Sequence, residues 1–102
     1  MSVALTLPDT VTLATAVQTL RALEPALGSA PVEIDASALR DFDSSALAVL
    51  LQLRRSAQAA GGDLRISGAP QPLAELAQLY GVDEALPGLE ETAQPVAVNA
   101  AA

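Results

Sequence analysis

The spacing of apolar residues changes along this chain of 102 residues, and that change constrains the fold more than any other feature. Val3, Leu5 and Leu7 alternate with small or polar residues, which is the two-residue period of a short strand. The same alternation returns at residues 32–35 and 64–67, and a segment with helical spacing follows each strand. The order strand, helix, strand, helix, strand, helix predicts a single α/β domain with a small, mostly parallel sheet and helices packed against it.

The first helical segment follows a break at Pro8. Asp9 or Thr10 is expected to cap it, because both residue types accept hydrogen bonds from the free amides of a first turn. Pro25 is expected to end or bend it, since proline lacks the amide hydrogen that a helix interior uses. The predicted apolar face consists of Leu13, Ala16, Val17, Leu20, Leu23 and Leu27, and Gln18, Thr19 and Arg21 are expected to face water.

The second helical segment, residues 44–60, is the longest, and it follows a connection at residues 37–43. Gly61 and Gly62 are expected to close it as a C-terminal glycine cap. The predicted apolar face consists of Ala46, Val49, Leu50, Leu53 and Ala57, and Leu47 and Leu51 widen the stripe. Because the first half of the helix is apolar nearly all round, we expect it to be buried on two sides or to contact a partner.

A third helix is expected to begin at Pro70 or Pro72 and to end before Gly81, with a further turn at residues 82–86. Its predicted apolar face contains Leu73, Leu76, Ala77 and Tyr80, with the Tyr80 hydroxyl at the rim of the core. The domain is predicted to span residues 1–87. Residues 88–102 lack a helical period and are predicted to form a flexible tail, in which residues 96–98 could pair as an edge strand.

The composition excludes several classes of chemistry. The chain has no His, no Cys and no Lys, so it cannot form a Ser-His-Asp triad, a cysteine nucleophile, a Schiff base or a His/Cys zinc site by itself. It carries 12 acidic and 5 basic residues, a formal charge of −7, which disfavours a nucleic-acid-binding surface. The sequence therefore predicts a protein without catalytic residues, cofactor or metal of its own, and without nucleic acid as a partner.

Two observations bear on membranes and location. The longest apolar run, residues 46–51, is far shorter than the ~20 residues of a membrane-spanning helix. The first basic residue is Arg21, so the N-terminus lacks the basic start of a signal peptide. We expect a cytoplasmic protein that does not insert directly into a membrane.

The densest group of polar side chains, Asp-Phe-Asp-Ser-Ser at residues 41–45, comes directly before the long helix. Asp43, Ser44 or Ser45 can serve simply as a helix cap. A serine at a helix N-terminus is also a plausible site of phosphorylation or docking, because the free amides and the helix dipole favour an added phosphate. With Asp35 and Asp41, Asp43 could alternatively form a Mg²⁺ site as in receiver domains, although such domains use a lysine that this chain lacks.

The sequence resembles the STAS domain, a module of anti-sigma-factor antagonists and of transporter-associated proteins. The resemblance rests on residues 32–37 (VEIDAS), 42–47 (FDSSAL) and 61–64 (GGDL). Residues 76–80 (LAQLY), followed by Leu86 and Pro87, are similar to the MlaB-like branch, which comprises the small cytoplasmic subunit of the Mla phospholipid-transport ABC system.

The resemblance implies roles for individual residues. Asp43 matches the aspartate of the family's motif, and Ser45 matches a neighbouring position of the same motif. Ser44 takes the place of the phosphorylated serine of anti-sigma-factor antagonists and of a required threonine in MlaB. Ala46 stands where the family usually has glycine, so we expect its methyl group to narrow the docking surface. The chain also begins without the family's usual first edge strand, which predicts an exposed sheet edge and possible self-association through it.

Three functions follow as hypotheses. The preferred one is a non-catalytic module that docks on the cytoplasmic ATPase of an ABC-type phospholipid transporter, peripheral to the inner membrane, through Asp43, Ser44, Ser45 and Leu47. The alternative is an anti-sigma-factor antagonist that a kinase regulates by phosphorylating Ser44. The third is a small Mg²⁺-dependent phosphotransfer or nucleotide-hydrolysing enzyme that uses Asp35, Asp41 and Asp43. The missing Lys and His leave such an enzyme nothing to neutralise charge or relay protons.

Overall fold

Strands and helices alternate in the computed structural model, which describes residues 2–89. In chain order the elements are β1 (Val3–Thr6), β2 (Thr10–Val11), α1 (Ala16–Leu23), β3 (Val32–Asp35), β4 (Asp41–Phe42), α2 (Ser44–Ala59), β5 (Leu64–Ser67) and α3 (Gln71–Leu79). Short 3-10 helices follow α1 at Glu24–Ala26, as the position of Pro25 predicts, and follow α3 at Asp83–Ala85. This arrangement confirms the predicted α/β class.

The central sheet has the order β1-β3-β5, and all its strands are parallel. Val32, Ile34 and Ile66 are buried, whereas the alternate residues Glu33 and Arg65 are exposed. The helices therefore cover one face of the sheet. β1 lies at one edge of this sheet, as the sequence predicts, and association of two copies through that edge stays a prediction.

A second, two-stranded parallel ribbon joins β2 to β4, and it changes the start of the first helix. The capping role predicted for Asp9 or Thr10 is wrong, because Thr10 and Val11 pair with Asp41 and Phe42 instead. The Val11 side chain is completely buried, so this pairing adds to the core. The segment predicted as a plain connection at residues 37–43 contains the other strand of the ribbon.

The helix α1 begins only at Ala16, and this shifts its buried face. Leu13, predicted to face the core, lies before the helix and is 79% exposed, and Val17 is also exposed. Thr19, predicted to face water, is buried, and its hydroxyl donates a hydrogen bond of 2.9 Å to the Thr15 carbonyl. A buried threonine can be accommodated here because the helix backbone satisfies its hydroxyl.

The helix α2 agrees with the prediction to within one residue. Its predicted core residues Ala46, Val49, Leu50, Leu53 and Ala57 are all buried. Gly61 has φ +93° and its amide donates to the Gln58 carbonyl at 3.0 Å, which confirms the predicted glycine cap.

The core extends beyond Pro87, the last residue of the predicted domain. Leu86 and Leu89 are completely buried, and the Ile66 amide donates a hydrogen bond of 2.8 Å to the Pro87 carbonyl. Gly88 has φ +105°, and a Cβ there would overlap the Ile66 carbonyl, so only glycine lets the chain pass β5 this closely. Packing thus continues at least to residue 89. The rest of the predicted tail, with its possible strand at residues 96–98, lies outside the described residues.

Candidate docking site

Asp43 organises the start of α2 with both of its carboxylate oxygens. Oδ1 accepts a hydrogen bond of 2.8 Å from the Ser45 amide, which caps the helix. Oδ2 accepts one of 3.1 Å from the Leu13 amide, in the loop before α1. The hydrogen bond from Leu13, followed by that from Ser45, holds the pKa of the Asp43 carboxyl below its ordinary value. Since a cap alone needs one oxygen, the second oxygen ties the Leu13 loop to the helix.

Replacing Asp43 with asparagine is expected to lower the melting temperature at neutral pH, because the amide oxygen can replace only one of the two acceptors. The folded-state pKa of Asp43 is lowered, so its stabilisation is complete above the ordinary aspartate value of about 3.9 and is lost as the pH falls through the lower folded-state value. The difference in melting temperature between the two proteins should therefore shrink at low pH. Thermal unfolding from pH 7 to pH 2 measures this difference.

Asp41→Asn provides the control, because Asp41 is exposed and its side chain makes no hydrogen bond with a described residue. A difference between Asp43→Asn and the unmodified chain that stays constant down to pH 2 would contradict the assigned role of the carboxylate.

The four predicted site residues lie together at the N-terminus of α2, with Asp43 as the cap, but they differ in exposure. Asp43 and Ser44 are exposed, and Ser45 is half-buried. Leu47 is only 3% exposed, so its side chain is part of the protein's own packing. Ala46 is completely buried. The prediction that its methyl group narrows the docking surface is therefore wrong, because the methyl faces the core.

An open groove with mostly apolar walls begins at Ser44. One wall is formed by α2, and the other by Tyr80 and Val82, which follow α3. The groove has a volume of about 270 Å³. The lining residues are Ser44, Leu47, Ala48, Leu51, Tyr80 and Val82. Leu47 lies at the boundary between this groove and the core, whereas Ala48 is exposed to solvent. The arrangement can bind apolar side chains of another molecule beside a serine hydroxyl.

Tyr80 corrects an expectation about α3. Predicted to pack in the core, it is 58% exposed and lines the groove. Its neighbour Leu79 is 78% exposed but does not line the groove. Sequence reasoning also did not identify Ala48, Leu51 and Val82 as site residues. The available signal was the apolar character of α2 on more than one side, which did not specify the opposite wall.

A second depression of about 360 Å³ shares Leu51 with this groove and is also lined by Arg54, Arg55, Gln58 and Ala85. The two depressions together are called the groove from here on. The Arg54 guanidinium donates to Asp63 Oδ1 at 2.9 Å and to the Ala85 carbonyl at 2.9 Å. The hydrogen bond to Asp63 raises the pKa of Arg54, and the same contact lowers the pKa of Asp63. Arg54 thus connects α2 to the segments that form the opposite wall.

The aspartates of the magnesium hypothesis are not gathered into a metal site. Asp35 Oδ1 accepts a hydrogen bond of 2.9 Å from the Ser37 amide, and hydrogen bonding to Ser37 lowers the pKa of Asp35. Within residues 2–89, no three carboxylates lie close enough together to hold a metal ion. The hydrogen bonds that Asp35 and Asp43 make serve to shape the ends of the strands and helix.

A family model described as "Mlab, STAS domain" matches residues 1–91. The chain belongs to the MlaB-like STAS domain family. No curated protein gives a significant match. STAS domains are in general non-enzymatic modules that bind other proteins.

Within this STAS domain, the motif from Asp43 to Ser45 stands at the exposed start of a helix, beside an apolar groove. None of the helices among the described residues is long and apolar enough to cross a bilayer.

Proposed function

We propose that this STAS domain docks on the cytoplasmic ATPase of an ABC-type phospholipid transporter and supports its assembly or activity. Such a complex would contribute to the maintenance of outer-membrane lipid asymmetry and would place the domain peripherally at the inner membrane. The observation that carries the proposal is the exposed Ser44 at the mouth of an apolar groove in an MlaB-like domain.

The surface around Ser44 has the character of a protein interface. Leu13 and Tyr80 are large apolar side chains that are exposed to solvent. Tyr80 lines the same groove as Ser44, and the Leu13 amide donates a hydrogen bond to Asp43. Burial of apolar side chains in a partner's surface is favourable at roughly 25 cal/mol per Å². Binding through this surface can stabilise one assembly state of an ATPase by mass action, without chemistry in this chain.

The charges at this end of the molecule indicate the complementary surface on the ATPase. Asp9, Asp41 and Asp43 are exposed, and the Asp9 carbonyl accepts hydrogen bonds from the Arg40 and Asp41 amides, so these residues are neighbours. The whole chain carries a net charge of −7. A basic rim on the ATPase would therefore favour association and increase its rate.

Co-purification tests the proposal. The tagged full chain and the ATPase of a phospholipid ABC transporter from the same organism are mixed at moderate salt, and the complex is quantified by size-exclusion chromatography and isothermal titration calorimetry. A stable complex supports the proposal. Failure to recover a complex between intact, folded proteins would count against the proposal. Where a complex forms, the variant Ala48→Glu tests whether the groove is the contact.

Exposure of Ser44 also favours a second candidate, regulation as an anti-sigma-factor antagonist. Its side chain is accessible at the first turn of α2, and it follows Asp43 directly. A phosphate there would add about −1.5 to −2 charges beside Asp41 and Asp43, which would repel an acidic partner.

For the phosphorylation hypothesis we expect a gain of one phosphate per chain on incubation with ATP and the candidate kinase. Intact-mass spectrometry measures the gain, and Ser44→Ala should abolish it while Ser45→Ala should not. An unmodified mass under conditions in which the kinase phosphorylates its other substrates would eliminate this candidate. It would leave docking on the ATPase unaffected.

A further inference from the structure

One side of α2 lines the whole groove, from Ser44 to Gln58. The lining residues of this helix recur every three or four positions, as Ser44, Leu47, Ala48, Leu51, Arg54, Arg55 and Gln58. They form a single stripe beside the core stripe that contains Val49, Leu50 and Leu53, and the buried Leu47 lies where the two meet. At about 1.5 Å per residue, the lining stripe is roughly 21 Å long. This length is sufficient for several successive side chains of a bound segment.

The two ends of the groove differ in chemistry. The end near Leu47 and Tyr80 is apolar, and the end near Arg55 is cationic. Arg54 and Arg55 are the only two basic residues adjacent in the sequence, in a chain where acidic residues outnumber basic ones by 12 to 5. The groove therefore combines an apolar end with a positive charge in an otherwise acidic protein.

The two arginines are not equivalent. Arg54 is occupied, because its guanidinium contacts Asp63 and the Ala85 carbonyl. Arg55 is exposed and makes no hydrogen bond or ion pair with any residue of the described part of the chain. Its guanidinium can form a bidentate hydrogen-bonded pair with a carboxylate of another molecule.

We propose that the groove binds a short linear segment of a partner protein, with apolar side chains at the Leu47 end and a carboxylate against Arg55. Charge complementarity selects this occupant, since a basic segment would be repelled at Arg55 and a wholly apolar one would leave its guanidinium partly covered and unpaired. The order of apolar and acidic groups also fixes the direction in which the segment lies along α2. The proposal concerns the segment that is recognised, and it stands whether or not an ABC ATPase carries it.

A selection from random peptides tests the proposal without the ATPase. The immobilised full chain is exposed to a phage-displayed library of 16-residue peptides, with the Ala48→Glu chain as the counter-selection. We expect the enriched peptides to contain an apolar pair and, on one constant side of it, Asp or Glu. Isothermal titration calorimetry on one enriched synthetic peptide then measures the contribution of Arg55.

Arg55→Glu is expected to weaken this peptide at least about tenfold, since it replaces an attraction by a repulsion. Arg21→Glu is the matched control, because Arg21 is an exposed arginine on α1 and its replacement changes the net charge equally. It should change the affinity less than about twofold. A peptide in which Lys replaces the acidic residue should reverse the preference and bind Arg55→Glu more tightly than the unmodified chain.

Several results would overturn the proposal. They are a selection that enriches nothing over Ala48→Glu, enriched peptides without acidic residues, and peptides that bind Arg55→Glu and Arg21→Glu equally. Sedimentation equilibrium tests whether a second copy of the chain is the occupant. A dimer that Arg55→Glu dissociates and Arg21→Glu does not would establish the second copy as the occupant. Glu90→Lys with Glu91→Lys tests the chain's own C-terminal residues, and a marked gain in peptide affinity would identify them as the occupant instead.

Discussion

Replacing Leu89 with alanine is expected to lower the free energy of unfolding by about 2–5 kcal/mol, the usual range for truncating a buried leucine. Leu89 is completely buried, although it lies beyond the predicted end of the domain at Pro87. The loss combines the apolar area removed from the core with the cavity that remains. Urea denaturation followed by circular dichroism measures the change.

Leu79→Ala is the matched control, since Leu79 is 78% exposed and undergoes the same truncation. Its unfolding free energy should change by less than about 0.5 kcal/mol, as is typical of surface positions. Equal stabilities of the two variants would mean that residue 89 does not belong to the core, and that the domain ends at residue 87 as the sequence predicts.

Ala48→Glu is expected to weaken binding to the ATPase at least about 30-fold, which corresponds to about 2 kcal/mol. Ala48 is exposed on the free domain and lines the apolar part of the groove, so a glutamate is hydrated until a partner covers it. Covering the groove would then bury a charge without a partner, and this cost falls on the complex alone. Calorimetric titration of the ATPase measures the change.

Ala59→Glu controls for charge and for helix content, because Ala59 is an exposed residue of the same helix that does not line the groove. It should bind the ATPase as the unmodified chain does. Both variants should retain the melting temperature, whereas truncation of the buried Leu47 would change stability and docking together. Equal binding by Ala48→Glu and Ala59→Glu would place the ATPase contact away from the groove.

The predicted elements that agree with the structure are those in which local spacing and local chemistry act together. Residues 32–35 and 64–67 form β3 and β5, because a strand buried on one face needs only alternation. The helix α2 begins at Ser44 directly after the capping Asp43, and Gly61 terminates it. These signals lie within a few residues of the elements they define.

The predictions that failed are those that needed a distant partner. Asp9 and Thr10 look like helix caps, but Thr10 pairs with Asp41 some thirty residues later. Tyr80 has helical spacing with the core residues of α3, yet it lies where α3 ends and faces the groove. The spacing of apolar residues is the same for a helix face that packs in the core and for one that lines an open groove.

The candidate site shows the same division. The resemblance to the family assigned roles to Asp43, Ser44 and Ser45, and the apolar first half of the helix added Leu47. Asp43 caps α2, and the other three residues lie on its first turns. It did not identify the wall formed by Tyr80 and Val82, nor Arg55, whose guanidinium has no partner among residues 2–89. The wall depends on the position of residues 80–85 beside α2, which the hydrogen bond from Arg54 to the Ala85 carbonyl stabilises.

The sequence by itself determined the α/β class, the absence of histidine, cysteine and lysine chemistry, and the capped start of α2 with its exposed serine. Each of these follows from composition or from interactions between near neighbours in the chain. Only the tertiary structure decided that Leu89 belongs to the core, that Leu47 is buried, and that α2 lines a groove with an apolar and a cationic end. The physical reason is that burial and grooves are properties of two surfaces in contact, and the identity of the second surface is not encoded in the spacing of the first.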